Sequence, residues 1–493
     1  MNRSIRRLGI GILVLYLALF VKLNWIQVVD KEALDDNPLN TAQVRRDFNR
    51  PRGAITSGDD VVLAQSVPNP DESSEFERLR VYPEGELFAQ STGFFSFRYG
   101  STGLEREYSD LLAGTTFDQQ VRGLGDLLVA RENVGNVEIS LRKDVQEVAR
   151  AELRDREGSV VAVNPQTGEL LAFWSFPSYD PNAVSTTDQV AAEQAWSLYN
   201  LDASQPMRAH QYQDRYFPGS TFKVVTGSVG LQTGKVTNED PVYKTATSYT
   251  PPQTTRAISN FGGRACGGAL PEVLRVSCNS AFAEMGQATI GPTDMVNGSE
   301  SWGFNAAPPI DLPDPARSVF PTDVQNNPPK LAQSSIGQND VQATPLQMAL
   351  VAAGVANRGT IMTPHLMTEV RDSQGEVIKE YDQKAWLNPM SPELADVMRG
   401  DMINVAERGT ATGLRIPGFE VGGKTGTAQL GTDPPRSHTW IIGFAGPPGQ
   451  ASTVAIAVVV LNQSGASEAT GGAIAAPIAR AVMQKILAVQ AGG

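Results

Sequence analysis

The six residues Pro218-Gly219-Ser220-Thr221-Phe222-Lys223 constrain this chain more than any other stretch. Proline and glycine are turn residues, so the backbone is free to enter a helix at Ser220. Phe222 to Val229 is mostly apolar, as expected of a helix threaded through a core rather than laid on a surface. At a spacing of three, Ser220 and Lys223 share one helical face, one turn apart. An amine so placed can take the hydroxyl proton when burial or a second cation holds it neutral. A helix start also offers N–H groups to a developing oxyanion. The stretch predicts an activated serine at the start of a buried helix.

A serine and a lysine at this spacing also arise by chance in a chain of this length. Ser140-Leu141-Arg142-Lys143 is such a case; it lacks the Pro-Gly approach, runs into a polar amphipathic segment and reads as structural. What sets Ser220 apart is its company further along. Ser277-Cys278-Asn279 is the only Ser-x-Asn in the chain. In an extended loop its hydroxyl and carboxamide point to one side, where the serine can pass a proton to a leaving amine. The asparagine can hold a substrate amide through both donor and acceptor. Cys278 would then face into the protein as a structural residue. The competing reading is a helix N-cap, because Ser280 to Glu284 begins a helix.

The third cluster is Gly422-Gly423-Lys424-Thr425-Gly426-Thr427. Glycines around a lysine in a strand let a substrate backbone lie close, and a strand edge can take up an extended peptide. Lys424, Thr425 and Thr427 can gather a carboxylate. The chain turns through Gly431 to Pro435 and returns as His438 to Gly443, which predicts a hairpin at the margin of a sheet. Alone, Lys-Thr-Gly reads more readily as a turn.

In this order, Ser-x-x-Lys, Ser-x-Asn and Lys-Thr-Gly are the set shared by penicillin-binding proteins and related serine β-lactamases. The chain resembles a class B penicillin-binding protein, a D,D-transpeptidase, over nearly its whole length. Arg52-Gly53-Ala54-Ile55, Gly103 to Tyr108 and Leu111 to Gly114 resemble motifs of the class B pedestal. Thr167 to Ala172, Pro177 to Asn182, Ile336-Gly337-Gln338 and Thr344 to Gln347 resemble the transpeptidase fold. The short pedestal is most similar to that of penicillin-binding protein A of actinobacteria. Thr56-Ser57-Gly58 departs from the Asp-Arg that often follows the first motif, and the C-terminal binding repeats of some relatives have no counterpart here.

The resemblance implies an α+β fold, a penicillin-binding/serine β-lactamase-like transpeptidase domain of antiparallel sheet and helices, with a small N-terminal pedestal and one transmembrane helix. It implies catalytic roles for Ser220 as nucleophile, Lys223 as base, Ser277 and Lys424 in proton delivery to the departing D-Ala, and Asn279 in orienting the donor amide. Thr425, Gly426 and Thr427 would bind substrate, with backbone N–H groups of Ser220 and Thr427 facing the oxyanion. Its partners would be peptidoglycan stem peptides ending in D-Ala-D-Ala, β-lactam antibiotics, the membrane, and a separate glycosyltransferase with division proteins. The alternatives are a D-Ala-D-Ala carboxypeptidase and a catalytically inactive division scaffold. A class A β-lactamase would need Glu-x-x-Leu-Asn, and here Lys384 precedes Leu387-Asn388 at the matching position. A β-lactam sensor would need more than the one spanning segment seen here, and a cytoplasmic signalling domain.

With 53 acidic against 41 basic residues the chain carries a net charge of −12, which argues against nucleic acid as a partner. Three histidines and two cysteines lie without metal-ligand spacing, so neither a metal nor a cofactor is expected. Cys266 and Cys278 can form a disulfide in an oxidising compartment or remain two buried thiols. Arg3, Arg6 and Arg7 precede an apolar run from Leu8 that Lys22 interrupts before it continues to Val29. That length spans a bilayer as a helix, and no small-x-small cleavage site follows it. The expected organisation is a cytoplasmic tail (1–7), a signal anchor (8–29) in the plasma membrane, a pedestal (30–136) and an extracytoplasmic transpeptidase domain (137–493).

Within this plan, Ser66 to Ser74 reads as loop, Val137 to Leu141 as a strand opening the larger domain, and Asp144 to Arg154 as helix. Ser159 to Trp174 reads as a hairpin and Ala307 to Pro329 as a surface crossover. Pro345 opens a helix, Val454 to Leu461 reads as a buried strand, and Ala473 to Val489 as a closing helix. Strands at both ends of the larger region predict that its termini pair in one antiparallel sheet.

Overall fold

The computed structural model describes residues 3–28, 48–71, 73–116, 119, 133–464 and 471–492. Expectations for 30–47, and for the part of the pedestal at 117–132 other than residue 119, lie outside the described residues. The chain divides into two compact units, Met1–Pro51 with Val67–Leu79, and Arg52–Ser66 with Arg80–Gly493.

In the first unit, α1 (Arg3–Val28) is a 26-residue helix, about 39 Å long at 1.5 Å per residue. Leu8, Leu13, Leu15 and Phe20 on it are all exposed, so it is apolar toward solvent on more than one face. Phe48 and Phe76 of the same unit meet edge to face, centroids 5.2 Å apart.

In the second unit, strands β1 (Ile55–Thr56) and β2 (Asn136–Ile139) run parallel, with Ile55 opposite Val137. Helix α2 (Lys143–Leu153) follows, then the hairpin β3 (Gly158–Val163) and β4 (Leu170–Phe176). Helices α3 (Lys223–Gln232), α4 (Leu270–Arg275), α5 (Asn279–Glu284) and α6 (Pro345–Ala356) lead to β5 (Met367–Arg371). The last elements are α7 (Pro392–Arg408), β6 (Glu420–Gln429), β7 (Arg436–Gly446), β8 (Val454–Ser464) and α8 (Ala476–Gly492).

The central sheet has the order β6-β7-β8-β3-β4 and is antiparallel throughout. The late strands therefore pair with the early hairpin, as the order of strand signals predicts. Ala455 to Val460 are all fully buried, which a strand achieves only when both faces of its sheet are covered. The cover comes from α6, buried at every residue, and from α2 and α8 packed together. The segment Gly471–Gly492 is long and apolar enough to cross a membrane, yet close to half of it is buried. Ile478, Val482, Met483 and Ile486 lie in the core, which marks it as the expected closing helix.

Two expectations change. Ser66 to Pro68 belong to a strand, Val62–Pro68, rather than to a loop, and Pro68 is its last residue. The strand expected to open the larger domain, β2, is not in the central sheet. It pairs antiparallel with β5, Val137 opposite Val370, and parallel with β1. Its alternation reports a half-buried strand and cannot say which sheet takes it.

The pedestal-like motifs meet through buried charge. Arg52 Nε and Arg80 Nε lie 2.6 Å from the two carboxylate oxygens of Glu105, Tyr82 donates to the same carboxylate at 3.2 Å, and Gly53 N–H donates to the Leu112 carbonyl at 2.9 Å. Burial pushes the Glu105 carboxyl up, but Arg80 and Arg52 together bring it below its ordinary value. Its contribution to stability is therefore present at neutral pH and lost as pH falls through the folded-state value. Glu105→Gln strands two buried guanidinium groups and is expected to cost about 3–5 kcal/mol in chemical denaturation; an unchanged midpoint would contradict this.

Candidate active site

The nucleophile turn is built by backbone fit. Gly219–Phe222 forms a 3-10 turn that passes into α3. Gly219 has φ +54°, and a Cβ there would fall 2.6 Å from the Thr427 carbonyl oxygen; a Cβ on Gly426 would fall 2.8 Å from that of Pro218. Only glycine at both positions lets the turn lie directly on β6. Gly219 N–H donates to the Gly337 carbonyl at 3.0 Å, and Trp440 Nε1 donates to that of Phe217 at 3.0 Å. Lys223 is wholly buried and Ser220 nearly so, and α3 runs through the core as its apolar sequence predicts.

Ser277 follows α4 with φ +59°, and Asn279 is the first residue of α5. The three-residue motif is thus a left-handed step between two helices, not an extended loop. The two side chains converge all the same. Lys223 Nζ donates to the Ser277 carbonyl oxygen at 2.7 Å and to Asn279 Oδ1 at 2.6 Å, and lies 3.2 Å from Ser277 Oγ. The N-cap reading fails because Cys278 holds the cap position and makes no side-chain cap bond. Cys278 is instead joined to Cys266 in a disulfide, which settles the open choice between bridge and free thiols. It closes a short loop, worth about 3 kcal/mol in the chain-entropy account. A Cys266→Ser, Cys278→Ser double variant is expected to lose stability of that order in denaturant titration; unchanged stability would contradict it.

Lys424 sits near the centre of β6, one of the two edge strands of the central sheet, so the turn reading of Lys-Thr-Gly fails and the marginal hairpin holds. Lys424 Nζ donates to Ser277 Oγ at 2.8 Å and to the Thr425 carbonyl oxygen at 2.8 Å, and is wholly buried. Two amines from distant parts of the chain thus meet at one hydroxyl.

A cavity of about 530 Å³ opens beside this network, with Ser220, Asn279 and Thr427 in its wall. Ser259, Gln338 and Gln429 add polar groups to the same wall. Lys223, Ser277 and Lys424 stand behind it, and Gly426 provides the close contact under the turn. Thr425 is turned elsewhere, its hydroxyl donating to Thr410 Oγ1 at 2.7 Å. Sequence reasoning misses Thr410 and the segment at Ser259-Asn260 that binds α5; neither carries a motif, and only the turn residues Gly262-Gly263 hint at a loop there. The chance pair is structural, as expected: Ser140 Oγ donates to the Leu170 carbonyl at 2.7 Å, and Lys143 pairs with Glu84 at 2.9 Å. Among the described residues no cluster of histidine, cysteine, aspartate or glutamate has the makings of a metal site.

Comparison with known proteins places the chain in a family. Residues 158–484 match the family described as penicillin binding protein transpeptidase domain, and residues 52–137 match that described as penicillin binding protein A dimerisation domain. The chain is 37% identical over 500 residues to the peptidoglycan D,D-transpeptidase PbpA of Mycolicibacterium smegmatis, covering 99% of each. It is 35% identical to the protein of the same description from Mycobacterium tuberculosis, again over 99% of each. The crystal structure of the latter's penicillin-binding protein A superimposes with a TM-score of 0.80 at 34% identity, over 89% of this chain and 99% of that one. The imipenem acyl-enzyme complex of the same protein superimposes equally well, with the same identity and coverage.

Proposed function

This chain belongs to the class B penicillin-binding proteins, and from that membership we propose that it is a membrane-associated peptidoglycan D,D-transpeptidase acylated by β-lactams and working in cell wall synthesis. The observation that carries the reading is the convergence of Lys223, Ser277 and Lys424 beside a cavity walled by Ser220, Asn279 and Thr427.

In this reading Ser220 Oγ attacks the carbonyl carbon of the penultimate D-Ala while Lys223 takes its proton. Two ammonium groups around one hydroxyl repel each other, which favours a neutral amine on one of them. The oxyanion of the tetrahedral intermediate faces the backbone N–H groups of Ser220 and Thr427. As the C–N bond breaks, Ser277, held by Lys424, delivers a proton to the departing D-Ala amine, which leaves an ester on Ser220. The amine of a neighbouring stem attacks that ester, forms the cross-link and frees the serine. Asn279 orients the donor amide, and Thr427, which stands in the cavity wall, receives the terminal carboxylate in place of Thr425, whose hydroxyl is engaged by Thr410. A β-lactam follows the first half of this path and stops at the ester.

We further assign residues 1–7 to a cytoplasmic tail, residues 8–29 to a single-pass plasma-membrane anchor, residues 30–136 to the pedestal and residues 137–493 to the extracytoplasmic catalytic domain. Strand polymerisation would then come from a separate glycosyltransferase acting with division proteins. The test is incubation of the detergent-solubilised full chain with polymerised, undigested lipid-linked precursor. The expected products are free D-Ala together with cross-linked stem dimers that benzylpenicillin suppresses. D-Ala release without dimers would make the protein a carboxypeptidase, and neither product would favour a scaffold.

A further inference from the structure

Asn260 stands outside the three motifs and is almost wholly buried. It follows the strand pair in which Ser259 lies opposite Ser248, and its own N–H donates to the Thr247 carbonyl at 3.0 Å. Its side chain makes three more bonds. Nδ2 donates to the carbonyl oxygens of Ala246 at 2.8 Å and Arg264 at 3.1 Å, and Oδ1 accepts from Ser280 N–H at 2.8 Å. These bonds fix which way the amide faces, since a flip would set donor against donor and oxygen against oxygen.

Ser280 N–H is one of the orphan donors at the start of α5. The residue at the cap position cannot serve it, because the Cys278 sulfur is spent in the disulfide. Asn260 therefore caps α5 from another part of the chain. Its neighbour Ser259 accepts Asn279 Nδ2 at 3.1 Å, which leaves Asn279 Oδ1 as the atom that meets Lys223 Nζ at 2.6 Å. The disulfide limits how far the two segments can part, while the Asn260 amide sets the orientation of the helix start.

We propose that Asn260 is a positioning residue for acylation, acting through the carboxamide of Asn279. The proposal rests on the transpeptidase reading and adds a residue to it. Its test is a double-mutant cycle on the full chain in detergent, reading the second-order rate of labelling by a fluorescent penicillin. Asn260→Ala is expected to slow labelling about 10- to 100-fold, the scale of a misplaced reacting group. On an Asn279→Ala background the same change should cost less than about 3-fold, because the path it acts through is gone. An equal loss in both backgrounds would overturn the proposal, since a residue that only stabilises the fold acts additively. Where thermal melting shows Asn260→Ala unfolded, Asn260→Asp carries the same cycle: a loss that shrinks on the Asn279→Ala background supports the proposal, and an equal loss overturns it. The aspartate keeps an oxygen for Ser280 N–H but sets the other against two carbonyls. A folded wild type that takes no label at all would overturn the transpeptidase reading, and with it the proposal.

Discussion

Replacing Ser220 with alanine is expected to abolish covalent labelling by a fluorescent penicillin, a loss of at least about 10⁴-fold, while the protein still melts as a folded chain. Ser259 and Thr427 also line the cavity, but the nearly buried hydroxyl on the turn that leads into Lys223 is the one whose lysine meets the Ser277 and Asn279 side chains. The deletion removes a single oxygen, so the packing of the turn on β6, set by Gly219, Gly426 and Gly337, is left intact. Labelling of the alanine variant at a rate near that of the wild type would transfer the nucleophile to another residue.

Lys223→Ala is expected to slow acylation by about 10²- to 10⁴-fold, the usual worth of a positioned general base. Lys223→Arg separates charge from basicity. A guanidinium keeps a cation near Ser277 but does not give up its proton in a protein, so it should fail nearly as badly as alanine. The readout is the pseudo-first-order labelling rate at saturating and at low penicillin. A Lys223→Arg variant with wild-type acylation would mean that the residue contributes positive charge alone. The base would then have to be sought elsewhere.

Much of this arrangement is legible in the sequence because it depends on local signals. The glycines around Lys424 and the turn after Gln429 mark a close-packed hairpin, and β6 and β7 form one. Pro218-Gly219 marks a helix start, and a 3-10 turn passes into α3 there. Ala455 to Val460 is an unbroken apolar run, and it is buried on both faces. What escapes depends on partners far away in the chain. Nothing near Ser277 announces a left-handed backbone, which arises because the chain must leave α4 and enter α5 within a few residues. The disulfide is one of two open readings, since two cysteines at this separation can bridge only if the fold brings them together. Asn260 and Thr410 carry no signal at all, because their roles are set by hydrogen bonds to Ser280 and Thr425 that only the folded chain creates. The same holds for Arg80, which joins Arg52 on Glu105 without belonging to any motif.

The most direct measurement is the mass of each tryptic peptide after a stoichiometric reaction with benzylpenicillin. Cleavage after Arg215 and Lys223 releases Tyr216 to Lys223, which holds Ser220 as its only serine. One penicilloyl adduct is expected, on this peptide and at Ser220. An adduct on the peptide that begins at Val276, or on any other, would contradict this.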